Sequence, residues 1–467
     1  MLKNILLAIS IALPACALAS DDGLSAKALA QAAAMRDSAQ KDSPAYAIVE
    51  SLTTEIGPRL AGSEAYDRAT VWAQEKFKAL GYDKVWLQPV SFPVWQRHAE
   101  SGRIISPFPQ KLQLTALGGS IGSQGPLRAE VVEFSSLQAL EAADENVLKG
   151  KIAFVNYTMQ RAKDGSGYGA ASAVRRTGAG VAARKGAVAL IIRSVGTDSD
   201  RLPHTGMMRY DDGTPKIPAA ALSVPDALLL GNMLKRGKPV QVEINLDTGF
   251  TGSKTEYNVI GEITGREKPE EVVIIGGHLD SWDLGTGAID DGAGVAITMA
   301  AGYHIGQLKT PPKRTIRVIA FANEEQGLYG GKAYAGAMKE QMAKHQIGAE
   351  SDFGAGRIYA LQAGVDAASW PLIAQIGNVL APLGIQTEKT GGGPGPDIGA
   401  SAELGMPWAE LAQDGTDYFD YHHTANDTLD KISPEAMAQQ AAAYAVLAYL
   451  AAESDVKIQP AKPAPAQ

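Results

Sequence analysis

Cysteine is nearly absent from this 467-residue chain: the single one, Cys16, lies within the first twenty residues. No internal disulfide can form, so the fold rests on other forces. Long apolar runs are also missing, because after residue 20 no stretch is long enough to cross a bilayer. Basic residues are outnumbered, 43 Lys and Arg against 51 Asp and Glu, and the net charge of -8 argues against nucleic acid or an anionic membrane surface as partner. What is present is ordinary for a soluble enzyme, 45% hydrophobic and 20% charged, in a chain long enough for two domains.

The first twenty residues read as a secretory signal. Lys3 supplies the positive start, Ile5 to Leu13 the apolar core, and Ala17-Leu18-Ala19 a small-residue cleavage site. Cleavage near Ala19 predicts a periplasmic or secreted enzyme. The alternative is a lipoprotein anchored through Cys16, with Leu13-Pro14-Ala15-Cys16 as lipobox, although proline is atypical there. At the other end, residues 456–467 are Pro/Ala-rich and are expected to be a disordered tail.

Between these ends, polar residues interrupt apolar runs in a telling order. Val272-Val273-Ile274-Ile275 leads to His278 and Asp280, then Asp290-Asp291 opens a helix-like segment from Gly294 to about Ile305. Ile316 to Phe321 leads to Asn323-Glu324-Glu325, followed by a helical pattern from Tyr329 to about Lys344. The runs lack alternation, as strands buried on both faces do. Strand, polar loop and helix in succession predict an α/β domain with its site at the carboxyl ends of the strands.

The residue types point to zinc. Imidazole from His278 and carboxylates from Asp290 and Glu325 are suitable ligands, and Asp280 is placed to orient His278. An aspartate can bridge two ions, and two ions about 3.5–4 Å apart clamp a hydroxide and polarise a scissile carbonyl. Glu324 is then free to act as general base and to pass the proton to the leaving amine. Asp352, in Glu350-Ser351-Asp352, is a further candidate ligand, and His422-His423 supplies the last histidine.

These segments resemble the zinc exopeptidases that include plasma glutamate carboxypeptidase, in order and spacing. The resemblance also takes in Ile56 to Ser63 and Pro203-His204-Thr205-Gly206, and runs from about Tyr46 to Ala452. It implies two Zn²⁺ per chain held by His278, Asp290, Glu325, Asp352 and His423, with Asp290 bridging and Glu324 as base. His423 rather than His422 is chosen because it directly precedes Thr424. The implied fold is a mixed sheet flanked by helices, its peptidase domain split into 46–105 and 250–455. The resemblance also implies a homodimer, with small peptides as substrates.

Residues 106–249 are expected to form a compact β-rich insert resembling a protease-associated domain. Short runs such as Ala129–Phe134, Lys151–Val155 and Ala187–Ile192 alternate there with helical patterns at Ala170–Lys185 and Pro225–Arg236. Its long polar segment, Gly196 to Lys216, is read as a lid over the site.

An exopeptidase must recognise a chain end, by a carboxylate for a free amine or by Arg or Lys for a free carboxylate. Gly391 to Tyr421 carries six acids and no Lys or Arg, which favours amine recognition. Asp397, His204 and Tyr421 are the candidate substrate residues, and Arg357 is the cation that would argue for the other end. The resemblance implies cleavage of dipeptides or N-terminal residues of short peptides. The alternatives are a true carboxypeptidase, a one-zinc cyclase like the glutaminyl cyclases, or a binding protein that has lost its ligands.

Overall fold

The computed structural model describes residues 23–144 and 147–461. The expected signal segment, with Cys16 and Ala19, lies outside the described residues, as do residues 462–467.

The chain is α/β. One part of its sheet runs in the order Gln386–Thr387, Ile358–Gly364, Trp408–Gln413, His345–Glu350, Lys268–His278, Arg314–Phe321 and Gln241–Ile263. His345–Glu350 and Arg314–Phe321 flank Lys268–His278, both parallel to it. The central strands have no solvent-facing side. Val273 and Ile275 pack toward the helices Ala293–Gly306 and Pro434–Glu453, while Ile274 packs with Ile319, Phe321, Tyr334 and Ile398 on the opposite face. Helices on both faces are the reason these runs do not alternate.

The helix Pro434–Glu453 is buried nearly all round, as expected of one that is apolar on every face. Its start is set locally. The Ser433 hydroxyl accepts the Ala436 N–H at 3.2 Å, and Pro434 occupies the first turn, where no N–H is required. Ser63 caps Glu64–Ala79 in the same way, accepting the Tyr66 N–H at 3.1 Å.

The domain boundaries differ from expectation. Lys84–Ser106 and Gln241–Ile263, 23 residues each, pair antiparallel as one ribbon that passes through both expected junctions, 105/106 and 249/250. At its far end Leu127–Phe134 joins Gln241–Ile263, followed by Ile152–Val155, Ala189–Arg193 and Ala219–Leu222 in parallel, with Leu114–Ala116 antiparallel at the edge. The helices Leu137–Glu141, Tyr168–Arg184 and Val224–Leu234 accompany these strands, so the insert is α/β rather than β-rich. Parallel strands need crossovers, and helices supply them.

The tail also differs. Ile458 is buried, Gln459 donates its N–H to Ser369 Oγ at 3.0 Å, and the Val456 carbonyl accepts from Gln346 at 2.7 Å. Residues 456–461 therefore dock on the domain, because one apolar side chain finds a slot that composition alone does not reveal.

Candidate metal centre and active site

The candidate ligands leave the sheet at the carboxyl ends of parallel strands. His278 ends Lys268–His278, and Glu324 and Glu325 follow Arg314–Phe321. Asp352 follows His345–Glu350, and Asp290 precedes the helix Ala293–Gly306. His422 and His423 follow the short helix Tyr418–Tyr421.

Their side chains converge on Asp290. His278 Nε2 lies 3.2 Å from Asp290 Oδ1 and 3.5 Å from Asp352 Oδ1. His423 Nε2 lies 3.2 Å from Asp290 Oδ2 and 2.9 Å from Glu325 Oε2. Two groups with metal-binding spacing result, His278–Asp290–Asp352 and Asp290–His422–His423, with Asp290 common to both. His422 stacks on His423, ring centroids 3.5 Å apart, but stands 3.7 Å from Asp290 Oδ2. Of the two histidines, His423 makes the closer approach and also reaches Glu325.

The electrostatics of this cluster fit a cation. Burial pushes the Glu325 carboxyl well above its usual range, and Asp290 adds to the push. Burial likewise raises Glu324, with Asp352 and Glu325 adding and His278 opposing. Burial acts to lower His278, but Asp352, Asp280 and Asp290 outweigh it and hold its pKa well above the histidine norm. Asp290 Oδ2 and Glu325 Oε1 are buried without a hydrogen bond. Orphaned buried carboxylate oxygens are costly unless a positive ion meets them. Imidazole nitrogens with carboxylate oxygens form a donor set suited to zinc.

Neighbouring groups fix the cluster. His278 Nδ1 faces the Asp280 carbonyl at 3.0 Å, closer than the Asp280 carboxylate at 3.6 Å. That carboxylate instead accepts the backbone N–H groups of Glu324 and Glu325, at 3.0 and 3.3 Å. The Trp282 indole donates to Glu325 Oε2 at 2.6 Å, and Asp291 accepts the N–H of His278 and of Gly294, each at 3.0 Å. Arg59, fully buried, donates to the carbonyls of Leu279, Thr286 and Gly287 at 2.5, 2.7 and 2.9 Å. Asn323 and His423 both adopt left-handed backbone, φ 52° and 62°. Non-glycine residues held there cluster at functional sites.

A cavity of about 950 Å³ opens onto the cluster and is lined by Asp290, Glu324, Glu325, Asp352 and both histidines. This is the size of a small-molecule site. Glu324 is half-buried on its wall, and its carboxylate has no hydrogen-bond partner among the described residues.

The expected substrate residues fall elsewhere. Asp397 is buried at the start of Pro396–Glu403 and accepts the Gly331 N–H at 2.9 Å, so it joins two helices instead of facing the cavity. His204 is buried between Asp198, 2.9 Å from its Nε2, and the His422 carbonyl, 2.7 Å from its Nδ1. It holds the histidine segment and does not touch the cavity. Tyr421 accepts through its carbonyl from Thr424 and lies off the wall, where Tyr418 and Phe419 stand instead. Arg357 is exposed and does not line the cavity.

The segment 196–216, read as a lid, is bonded to the histidine segment and supplies part of the cavity wall. Thr197 and Thr205 donate backbone N–H groups to the carbonyls of Phe419 and His423, at 3.0 and 3.1 Å. Met207 and Arg209 from this segment line the cavity, with Arg175 and Arg176 from Tyr168–Arg184. Glu350, Glu388 and Glu410 line it from the peptidase part. Arg175 and Arg176 were not legible as cavity residues, since they sit in an ordinary helical pattern, whereas Arg209 falls in the aperiodic segment read as a lid. Glu410 was visible only as one of six acids before Tyr421.

Comparison with known proteins agrees with this geometry. Residues 258–448 match peptidase family M28. Carboxypeptidase Q of Mus musculus is 36% identical over 406 residues, 86% of this chain and 84% of that protein. The crystal structure of a peptidase M28 precursor from Shewanella amazonensis SB2B is 51% identical, with a TM-score of 0.91 over 94% of this chain and 99% of that one. A zinc aminopeptidase from Bacillus subtilis, 21% identical, shares the fold with a TM-score of 0.63 over 89% of this chain and 98% of its own. Ligand-like side chains on one sheet edge and similarity along most of the chain lead to one conclusion: the chain belongs to peptidase family M28, alongside carboxypeptidase Q, and is a metallo-exopeptidase.

Proposed function

We propose that the chain is a two-zinc exopeptidase that cleaves dipeptides, or the first residue of short peptides, with a free amino end. The observation that carries this reading is the sharing of Asp290 between two ligand groups beside an unpartnered Glu324. His278 and Asp352 would hold one ion, His423 and Glu325 the other, and Asp290 both. Bound there, two ions supply Lewis acidity toward the scissile carbonyl and make water acidic enough to be deprotonated near neutral pH.

The chain's own residues supply the rest. Glu324, half-buried and with no hydrogen bond to its carboxylate among the described residues, takes the proton of the attacking water and returns it to the departing amine. Asp280 keeps Glu324 in place through its backbone N–H. The acidic wall of Glu388 and Glu410 suits a substrate ammonium, a role expected of Asp397 that its burial does not allow.

Export accords with the signal pattern of residues 1–20. No helix among the described residues is long and apolar enough to cross a membrane.

The test is metal content together with hydrolysis of one dipeptide, free and N-acetylated. Two zinc ions per chain and loss of cleavage on acetylation are expected. Full activity with one ion would remove the two-metal reading, and undiminished cleavage of the acetylated form would remove the free amino end.

A further inference from the structure

The cavity carries opposite charges from different parts of the chain. The peptidase part contributes Glu350, Glu388 and Glu410, and the insert contributes Arg175, Arg176 and Arg209. Arg175 Nη1 lies 3.4 Å from His423 Nδ1, whereas Glu350 stands two residues from Asp352.

Of the six insert arginines that do not line the cavity, Arg128, Arg161, Arg184 and Arg201 pair with Glu243, Asp420, Asp211 and Asp226, while Arg193 reaches Asn156 and Arg236 has no ion pair among the described residues. The three that reach the cavity pair with no carboxylate among the described residues. Arg175 is 5% exposed, spends its Nη groups on Thr205 and Tyr168, and leaves Nε buried without an acceptor. Arg176 donates only to Ser172, in its own helix, at 2.8 Å. The Arg209 guanidinium has no hydrogen bond or ion pair among the described residues.

Arg176 and Arg209 are also tied together, since the Arg209 N–H donates to the Arg176 carbonyl at 3.0 Å. That backbone bond sets the two residues side by side on one wall of the cavity, and the planar guanidinium fork of each matches a carboxylate in particular.

We propose that Arg176 and Arg209 bind the carboxylate of the substrate and make the insert the part of the molecule that reads the residue after the scissile bond. This deepens the function proposed above and rests on it. A peptide is held by its amine on the glutamate wall and by its carboxylate on the arginine wall, so the cavity measures length and favours two residues. The carboxylate has two sources, the chain terminus of a dipeptide or an acidic side chain in its second residue, and both present the same chemistry.

The experiment compares the zinc-loaded full chain with the double variant Arg176→Gln/Arg209→Gln on three substrates. These are a dipeptide with a neutral second residue, its C-terminal amide, and the corresponding amide with aspartate in second place. Wild type is expected to prefer the free dipeptide over its amide. The double variant is expected to lose that preference through a rise in KM on the order of tenfold, the low end for charge-assisted bonds because both side chains are exposed. Unchanged zinc content shows that the variant is folded at its centre, and the Arg→Lys pair should recover part of the preference by restoring charge without the fork.

Cleavage of the aspartyl amide as fast as the free dipeptide would also support the carboxylate site and assign it to the side chain. Equal cleavage of free dipeptide and both amides by wild type would overturn this inference alone. So would an equal loss on all three substrates in the variant. Cleavage of none by the zinc-loaded wild type would instead overturn the peptidase reading beneath it.

Discussion

Asp280 Oδ1 accepts the Glu324 N–H at 3.0 Å across 44 residues of chain, while its own carbonyl faces His278 Nδ1 at the same distance. One residue thus sets both a proposed metal ligand and the proposed base. Replacing Asp280 with Ala leaves the carbonyl in place but frees the Glu324–Glu325 turn. The expected outcome is a loss of about 10- to 100-fold in activity, the range for groups that orient ligands. Zinc titration should show the Glu325 side weakened first, and unchanged kinetics would remove the orienting role.

Glu324→Gln tests the base directly. The amide keeps the shape of the side chain but cannot take a proton. Activity should fall by about 10²–10⁴-fold. Zinc content should be unchanged, since Glu324 is not among the proposed ligands. Retained activity at full zinc content would assign proton transfer to another group.

Arg59 is a structural clamp whose loss should register in stability. Three of its four carbonyl partners lie in the stretch between His278 and Asp290, and the fourth is Gly57. Arg59→Ala leaves buried acceptors unmet and a void behind them, an expected cost of about 3–5 kcal/mol. Denaturant midpoints measured with and without zinc would check it, and a change below about 1 kcal/mol would show that water replaces the guanidinium at little cost.

A fourth prediction concerns acid. Burial, with help from Arg317, lowers the His345 pKa from 6.5 to about 4. Tyr334 Oη lies 2.8 Å from its Nε2 and also accepts from Arg317 at 2.6 Å, so the ring stays neutral. Between pH 6.5 and about 4 the unfolded chain binds the extra proton, so this contribution is complete above pH 6.5 and falls as pH drops through that window. The slope from one such group is at most about 1.4 kcal/mol per pH unit. Urea titrations at pH 7, 5.5 and 4.5 should show a shallower decline for His345→Gln than for wild type. Identical declines would show that His345 does not titrate separately.

The parallel core was legible because strands buried on both faces announce themselves as unbroken Val and Ile runs. His278 and Glu325 stood out as candidates because each lies within a few residues of the end of such a run. The arginines were not, since nothing local distinguishes Arg175 from a solvated helix residue until the fold brings it beside His423, 248 residues away. Asp397 misled for the converse reason: an acid in a glycine-rich loop reads as exposed, yet it is bonded to Gly331, 66 residues earlier. The domain junctions were missed because the ribbon crosses them without a turn. Ile458 was missed because composition says nothing of a slot waiting for one side chain.

The ribbon of Lys84–Ser106 and Gln241–Ile263 also bears on how such an enzyme can diversify. Groups placed to hold ions and move protons come from residues 278–423, whereas the arginine wall comes from 175–209. On the proposal that Arg176 and Arg209 read the substrate, descendants of this chain could exchange one diet of peptides for another by altering those two residues, leaving the reaction intact. Arg175, His204 and Thr205 are different, because they grip the His422–His423 segment as well. Those three are where a change of taste would be felt by the chemistry itself.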